Sequence, residues 1–271
     1  MTNAWTRTRT LDVIGVKTAV FEAGPEDAAP IVFLHGNPDT HDVWSAVVSK
    51  LAETHRCIAP DLPDFGSSIA PVDFDVSLDG QARWVNALFG ELELERAHLV
   101  VHDVGGTYGL AFASEHAARL GSLTILNSNF FSDYRWHFWA RMWRTPLIGE
   151  LVMFAGNEWL FARETRKGSP GITDAEARRA YRAFHPRARR MVLRFYRWLD
   201  SEKLAGWDTK LLAATAGTPK QVLWGDLDPY MPNPKTADRY GATATHYADA
   251  GHWPMFDRPA DVATSIARIA R

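Results

Sequence analysis

The sequence predicts an α/β fold in which a mostly parallel sheet of about eight strands carries helices on both faces. Apolar runs of strand length alternate with segments of helical period along the first part of the chain. This alternation stops at Asn127 and resumes at Gln221. The helical, aromatic-rich stretch between them is therefore predicted to be an insertion after the sixth strand.

The individual elements follow from the same patterns. Predicted strands are an opening hairpin-like pair within 13–21, then 31–34, the run around Cys57, 98–102, 123–126, 221–224 and 243–247. Predicted helices cover 43–52, 77–88 with Ser77 as N-cap, the segment after Asp103, and 260–269. We expect a core of residues 1–129 and 216–271 and a helical cap of residues 130–215. The cap would cover the carboxyl edge of the sheet, where open α/β folds place their sites.

Composition excludes several classes of protein. The chain has 271 residues, 46% of them hydrophobic and 23% charged, which suffices for one large globular unit rather than a disordered chain. No apolar run approaches the roughly 20 residues of a membrane span, and residues 1–7 lack the apolar stretch of a signal peptide. We therefore expect a cytoplasmic protein without a membrane partner. No Cys/His cluster has metal-ligand spacing, so neither a metal nor a cofactor is expected.

The predicted cap differs from the rest of the chain in charge. It carries 16 Lys and Arg against 9 Asp and Glu, and six of the eleven tryptophans, although the net charge of the protein is −2. Basic charge with aromatic residues can indicate nucleic-acid binding. We prefer amphipathic helices with tryptophans packed inward and exposed arginines, and expect no nucleic-acid partner. These arginines are Arg178, Arg179, Arg182, Arg187, Arg189 and Arg190.

The segment Val101-His102-Asp103-Val104-Gly105 places an aspartate where an apolar strand enters a glycine-rich turn. The pattern G-x-S-x-G forms a strained strand-turn-helix elbow that exposes a nucleophile above a sheet. Asp103 stands here at the position of the serine, and aspartate tolerates left-handed backbone better than most residues. An aspartate at this place can also simply cap the following helix. The remaining motifs favour a carboxylate nucleophile.

Two loops supply partners for such a nucleophile. A strand ends in Asp226-Leu227-Asp228, and His252 follows the last strand between a glycine and an aromatic-proline turn. The chain order of nucleophile, acid and histidine is that of a hydrolase triad. In the loop after the first parallel strand, Gly36 permits close approach, so the backbone N–H groups of Asn37 and Val104 can form an oxyanion hole. His35 and His102 are predicted to orient loops.

These motifs together resemble the α/β-hydrolase superfamily over nearly the whole chain. The matching segments are LHGNP at 34–38, VHDVGG at 101–106, WGDLD at 224–228 and GHWP at 251–254. The match is to the haloalkane dehalogenase and epoxide hydrolase branch, in which aspartate replaces serine. This resemblance implies that Asp103 attacks an sp³ carbon to form an alkyl ester, His252 activates water against the ester, and Asp228 orients the imidazole. The partners would be a small apolar organic substrate and water.

The resemblance also indicates which of the two acids, Asp226 or Asp228, orients the histidine. Its G-x-x-D spacing selects Asp228, so Asp226 is expected to finish a strand edge. Some dehalogenases take the acid after the strand that precedes the cap, but Asn127-Ser128-Asn129 offers no carboxylate there. A carboxylate would be available at that place only if Asp133 folded back towards the histidine.

The leaving group decides between two activities. An epoxide leaves as an alkoxide that needs a proton, and the cap residues Tyr196 and Tyr134 are the candidate donors. Val104 stands where dehalogenases carry a halide-binding tryptophan, and valine has no side-chain donor. Epoxide hydrolase is therefore the preferred prediction. Haloalkane dehalogenase is the alternative, with Asn37 and a cap tryptophan such as Trp136, Trp139 or Trp198 as halide donors. A catalytically silent binding protein is more remote, and a serine esterase is disfavoured because no serine occupies an elbow.

Overall fold

A computed structural model describes residues 4–270. The segment 1–7, for which no signal peptide is predicted, lies partly outside these residues. Eight strands form one sheet in the order β1-β2-β4-β3-β5-β6-β7-β8. They are β1 Arg7–Val13, β2 Val16–Ala23, β3 Pro30–Leu34, β4 Arg56–Pro60, β5 Ala97–His102, β6 Leu120–Leu126, β7 Lys220–Gly225 and β8 Thr243–Tyr247. Strand β2 pairs antiparallel with β1 and β4, and all other pairs are parallel. The predicted sheet is thereby confirmed.

Eleven α-helices lie within residues 4–270. They are α1 Ser45–Leu51, α2 Leu78–Glu91, α3 Val104–His116, α4 Phe138–Arg144, α5 Ile148–Ala155, α6 Glu158–Gly168, α7 Asp174–Ala183, α8 Pro186–Trp198, α9 Trp207–Ala214, α10 Pro254–Asp257 and α11 Pro259–Ile269. Helix α2 confirms the predicted helix at 77–88, and the Ser77 hydroxyl accepts a hydrogen bond from the Gly80 amide at 3.0 Å. The insertion between β6 and β7 is helical, as predicted.

The central strands are apolar because both faces of the sheet are covered. Along β3 the side chains alternate between two separate cores: Val32 and Leu34 join one, and Ile31 and Phe33 join the other. Helices α2 and α3 supply apolar side chains to the first core, and α1 and α11 to the second. These four side chains are fully buried, so the carboxyl end of this strand is held rigidly.

The opening hairpin is longer than the sequence indicated. Its turn, Ile14-Gly15, falls inside the run predicted as the pair, and β1 begins at Arg7. Strand β1 lies at the edge of the sheet and most of its side chains are exposed or half-buried. An edge strand of this kind lacks the apolar signal on which the prediction depended.

Several hydrogen bonds fasten the inserted helices to the core. The His185 ring bonds the Gly66 carbonyl at 2.8 Å, Arg194 donates to the Phe74 carbonyl at 2.7 Å, and the His252 amide donates to the Gly168 carbonyl at 2.7 Å. Helix α9 instead packs against α3. The division into core and cap stays a proposal, and this packing favours a cap that ends before α9.

Two predictions about the cap surface are wrong. Arg189 does not lie on an exposed face but borders an internal cavity, where its guanidinium stacks on the rings of Tyr181 and Phe184. Trp159 is not packed inward, since it is 61% exposed. Within residues 4–270, no helix combines the length and the apolar character that a membrane crossing requires.

Candidate active site

Asp103 occupies the turn between β5 and α3. Its φ of +49° and ψ of −120° lie outside the regions that non-glycine residues normally adopt, so the turn is strained. Neighbouring glycines make room for it. A Cβ on Gly36 would lie 2.5 Å from the Asp103 Cβ, and one on Gly105 would lie 2.3 Å from the His35 carbonyl oxygen. The sequence therefore forms a sharp strand-turn-helix elbow with a carboxylate at its apex.

Three predicted residues meet at the carboxyl edge of the sheet. Asp228 follows β7, and His252 lies in the loop between β8 and α10. His252 Nδ1 is 2.7 Å from Asp228 Oδ2, and His252 Nε2 is 3.6 Å from Asp103 Oδ2. The imidazole, 2% exposed, thus bridges two carboxylates. This is the arrangement of a nucleophile, a histidine and an orienting acid.

The three groups hold each other in their charged forms. Burial alone raises the pKa of Asp103, but the hydrogen bond and charge of His252 and the Asn37 amide bring it down to about 2. Burial lowers the pKa of His252, yet the two carboxylates outweigh it and raise that pKa to about 10. The charge of His252 also outweighs burial at Asp228 and lowers its pKa. Near neutral pH the resting site therefore holds an imidazolium between two carboxylates.

Asn127, which sequence analysis did not assign to the site, fixes the acid. Its side-chain amide donates to Asp228 Oδ2 at 2.8 Å and to the Gly225 carbonyl at 3.1 Å, while its Oδ1 accepts from the Gly225 amide. The backbone amides of Tyr230 and Met231 donate to Asp228 Oδ1 at 2.7 and 3.0 Å. With its hydrogen bonds satisfied, the carboxylate is held in one orientation towards His252.

The loop after β3 contributes a donor to the elbow. The backbone amide of Asn37 donates to Asp103 Oδ1 at 2.8 Å. Val104 opens α3 directly after the elbow, where its amide is the predicted second donor. His35 bonds the Gly36 carbonyl and accepts from the Leu62 amide, as expected for a residue that orients this loop. Burial lowers the pKa of His35 to about 4, which keeps it neutral.

His102 lies beneath the site. Its Nε2 is 2.8 Å from the His252 carbonyl, so it positions the loop of His252 as predicted. Burial lowers its pKa to about 3, and the ring is therefore neutral. Its Nδ1 lies 4.0 Å from Asp39, whose carboxylate accepts from the Trp253 indole at 2.8 Å.

A cavity of about 290 Å³ opens above Asp103 between the core and the inserted helices. Its walls are mainly apolar and aromatic, with Trp139, Trp143, Met153, Phe161 and Phe184 among them. This volume lies near the lower end of the range for small-molecule sites. The site can therefore hold a small apolar molecule against the Asp103 carboxylate.

Tyr196 and His137 bring two polar groups to this cavity. Burial, together with the charge of Asp103, raises the pKa of Tyr196 far above its ordinary value, so the phenol keeps its proton. His137 Nδ1 accepts a hydrogen bond from the Ala140 amide at the start of α4, which leaves the ring proton on Nε2. His137 was not assigned from sequence. It is the N-cap of a short aromatic helix, and a histidine in that position carries no distinctive signal.

The other predicted candidates have other hydrogen-bond partners, although Tyr134 borders a smaller cavity that Asp103 and Tyr196 also line. The Tyr134 phenol donates to the Tyr230 carbonyl at 2.9 Å, so its proton is engaged. Asp226 pairs with His246 at 2.7 Å and not with His252. Asp133 is exposed and bonds Arg239 at 2.8 Å, so it does not fold back towards the histidine.

A family model described as the alpha/beta hydrolase fold matches residues 29–259. The chain belongs to this family. That membership and the eight-stranded sheet confirm the predicted α/β-hydrolase fold. In this α/β-hydrolase, the strained aspartate stands at the elbow of the fold.

Proteins of the predicted branch are among those similar to this chain. A haloalkane dehalogenase of Agrobacterium fabrum is 40% identical over 140 residues, which are 50% of this chain and 46% of that protein. The chain thus matches about half the length of this curated relative. The solved haloalkane dehalogenase DbeA of Bradyrhizobium elkani has a TM-score of 0.80 and 26% identity, covering 97% of this chain and 98% of that one. A putative epoxide hydrolase of Klebsiella pneumoniae has a TM-score of 0.82 and 18% identity, covering 99% of each chain, and shows the fold alone.

Proposed function

We propose that this α/β-hydrolase opens an epoxide to a diol through an ester between Asp103 and a substrate carbon. The observation that carries this proposal is the placement of Asp103 at the floor of an apolar cavity that Tyr196 and His137 also line. A nucleophilic carboxylate and protonated donors on one small cavity are what epoxide opening requires. The substrate class is a small apolar epoxide.

In the first half of the reaction, Asp103 Oδ2 attacks a ring carbon. The carbon–oxygen bond of the epoxide breaks, and the departing oxygen takes the proton of the Tyr196 phenol. His137 Nε2 donates a second hydrogen bond to the same oxygen. Burial lowers the pKa of His137 to about 4, so this residue acts as a neutral donor.

Formation of the ester prepares the second half of the reaction. It removes the negative charge of Asp103, which is one of the two charges that raise the pKa of His252. The pKa of His252 then falls, and His252 releases a proton. This proton replaces the one that Tyr196 gave to the substrate oxygen. Neutral His252 accepts a proton from water as the water attacks the ester carbonyl. The amides of Asn37 and Val104 stabilise the resulting oxyanion. Its collapse breaks the ester bond to the substrate oxygen, which takes the proton from His252 and leaves as the diol. The Asp103 carboxyl then gives its proton to His252, which restores the resting site.

Haloalkane dehalogenase is the second candidate, and the similarity to the Agrobacterium and Bradyrhizobium enzymes favours it. Both activities share the ester and differ only in the leaving group. The Val104 side chain offers no donor to the halide, whereas Tyr196 and His137 suit an alkoxide. Release of bromide from 1-bromobutane much faster than hydrolysis of styrene oxide would replace the first candidate with the second.

The ester itself is tested by trapping it. His252→Gln removes the base for the water step but not the nucleophile, so incubation with styrene oxide should add the mass of one substrate molecule to the protein. The matched control, Asp103→Asn, should show no adduct. In a single turnover with excess wild-type enzyme in ¹⁸O-water, the first diol should carry unlabelled oxygen from Asp103. Label in that first product, with no adduct on His252→Gln, would rule out the ester.

A further inference from the structure

Arg189 lies in the wall of the cavity above Asp103, apart from the charged groups around His252. Two of its guanidinium N–H groups are engaged: Nε donates to the Phe184 carbonyl at 2.8 Å and Nη1 to the Met153 carbonyl at 2.6 Å. The group also lies over the rings of Tyr181 and Phe184, with centroid distances of 5.2 and 5.6 Å. These contacts hold the guanidinium plane in a fixed orientation.

The charge of Arg189 has no counter-ion among the residues that the structure describes. Within residues 4–270, no carboxylate lies within 4.0 Å of its nitrogens, and Nη2 has no hydrogen-bond acceptor. Glu164 also borders the cavity, but Lys167 neutralises it at 2.6 Å. A guanidinium has five N–H groups, so three remain available at Arg189. Carbonyl oxygens and aromatic rings orient the guanidinium of Arg189. None of these neutral groups forms the stronger hydrogen bond that a guanidinium makes with an anion.

Helix α8 gives the spacing between this cation and the reacting atoms. Arg189 and Tyr196 are seven residues apart, which is close to two helical turns, so both lie on the same face of α8 and both border the cavity. Seven residues rise about 10 Å along a helix. An anion beside Arg189 would therefore be separated by roughly this distance from an oxygen that Tyr196 protonates. Apolar side chains such as Met153, Phe161 and Trp143 fill the wall of the cavity.

We propose that Arg189 binds a carboxylate at one end of an otherwise apolar substrate, whose reactive group lies at the other end against Asp103. The inference rests on the proposed function for the identity of that reactive group. The negative charge of Asp103 repels a carboxylate at the reacting end, and Arg189 attracts it at the distal end. The two charges together orient the substrate.

The first test measures binding, without turnover. Octanoate and octanamide have the same chain and differ in charge, and calorimetry at pH 7.5 gives both dissociation constants. A hydrogen bond to a charged group contributes about 1.5–3 kcal/mol, so wild-type protein should bind octanoate about 10- to 100-fold more tightly. Equal affinities for the two ligands in the wild-type protein would overturn the proposal without any variant.

Substitutions then test whether Arg189 causes the preference for octanoate over octanamide. Arg189→Met keeps an apolar stem of similar length and should reduce the octanoate-to-octanamide preference to about one. Arg189→Lys keeps the positive charge and should retain part of the preference for octanoate over octanamide. The matched control is Arg190→Met, because Arg190 is exposed on the same helix and does not border the cavity. A preference that survives Arg189→Met, or is lost equally in Arg190→Met, would show that Arg189 does not bind the anion.

Kinetics separate this inference from the proposed function. The substrates are 7,8-epoxyoctanoate and 7,8-epoxyoctanamide, and wild-type kcat/KM should favour the carboxylate by about the same factor as binding. If neither epoxide reacts while the octanoate preference depends on Arg189, the proposed function fails and the anion site stands. If both epoxides react equally fast, the proposed function stands and the anion site fails.

Discussion

At the scale of single residues, the site depends on charges that stabilise one another. The Asp103 and Asp228 carboxylates are buried on either side of His252, and each ionises because the imidazolium lies beside it. In the proposed mechanism, esterification removes the charge of Asp103 and thereby lowers the pKa of His252. One side chain can thus be a counter-ion before the ester forms and a base afterwards.

The phenol of Tyr196 is the residue whose loss should identify the leaving group. Tyr196→Phe keeps the ring and its edge contacts with Trp136 and Trp143 but removes the proton, so hydrolysis of styrene oxide should fall by at least the roughly 10²-fold that a general acid contributes. Steady-state kcat provides the measurement.

Tyr134→Phe is the matched control for this substitution. The Tyr134 hydroxyl bonds a backbone carbonyl, so its removal should lower stability by about 1 kcal/mol and leave kcat within a few-fold. A larger kcat loss in Tyr134→Phe than in Tyr196→Phe would exchange the roles of the two tyrosines.

At the scale of elements, the elbow depends on close contact between β3 and the start of α3. Gly105 lies against the carbonyl oxygens of Leu34 and His35, where an added Cβ would approach to 2.4 and 2.3 Å. The same contact brings the loop of Asn37 within hydrogen-bond distance of Asp103. The packing of two backbones therefore sets the geometry of the proposed oxyanion hole.

Gly105→Ala should consequently lower both stability and activity. Backbone atoms on the neighbouring strand must move, and such overpacking costs about 1–3 kcal/mol. Gly90→Ala is the control, because Gly90 lies in α2 with no atom within 4 Å of an added Cβ. It should raise stability by about 0.5–1 kcal/mol, as alanine favours helix. Urea denaturation and kcat measure both variants, and a Gly105→Ala protein as stable and active as the wild type would contradict the close-contact argument.

At the scale of the whole molecule, Asp39 connects two loops that the sequence separates by more than 200 residues. Its carboxylate accepts from the Trp253 indole in the loop of His252, and burial raises its pKa to about 7. The unfolded chain loses this proton near pH 4. Ionisation is therefore easier in the unfolded chain, and the folded protein loses stability as the pH rises from about 4 to 7.

Asp39→Asn removes this pH dependence. Between pH 5 and pH 8 the variant should gain stability relative to the wild type by up to about 3 kcal/mol, at roughly 1.4 kcal/mol per pKa unit. Denaturation midpoints at the two pH values measure the difference. Asp73→Asn, at an exposed loop position, should follow the wild type at both. A relative stability of Asp39→Asn that does not change with pH would mean that Asp39 ionises normally in the folded state.

The residues of the candidate site could be located from the sequence because they lie in short motifs at strand ends. Asp103, Asp228 and His252 each follow a predicted strand, and parallel strands bring their carboxyl ends to one edge of the sheet. The positions of the strands along the chain and the helical insertion were readable for a similar reason, since apolar periodicity along the chain reports burial on each face of the sheet.

What only the tertiary structure decided are contacts between residues far apart in sequence. Asn127 supports Asp228 across 101 positions, and Arg189 borders the substrate cavity although its own segment has the pattern of an exposed basic helix. The Tyr134 phenol donates to a carbonyl 96 positions away, a contact that distinguishes it from Tyr196 and that no local pattern predicts. A local pattern determines which face of an element is buried. The partner that a polar side chain meets there depends on how distant elements pack against it.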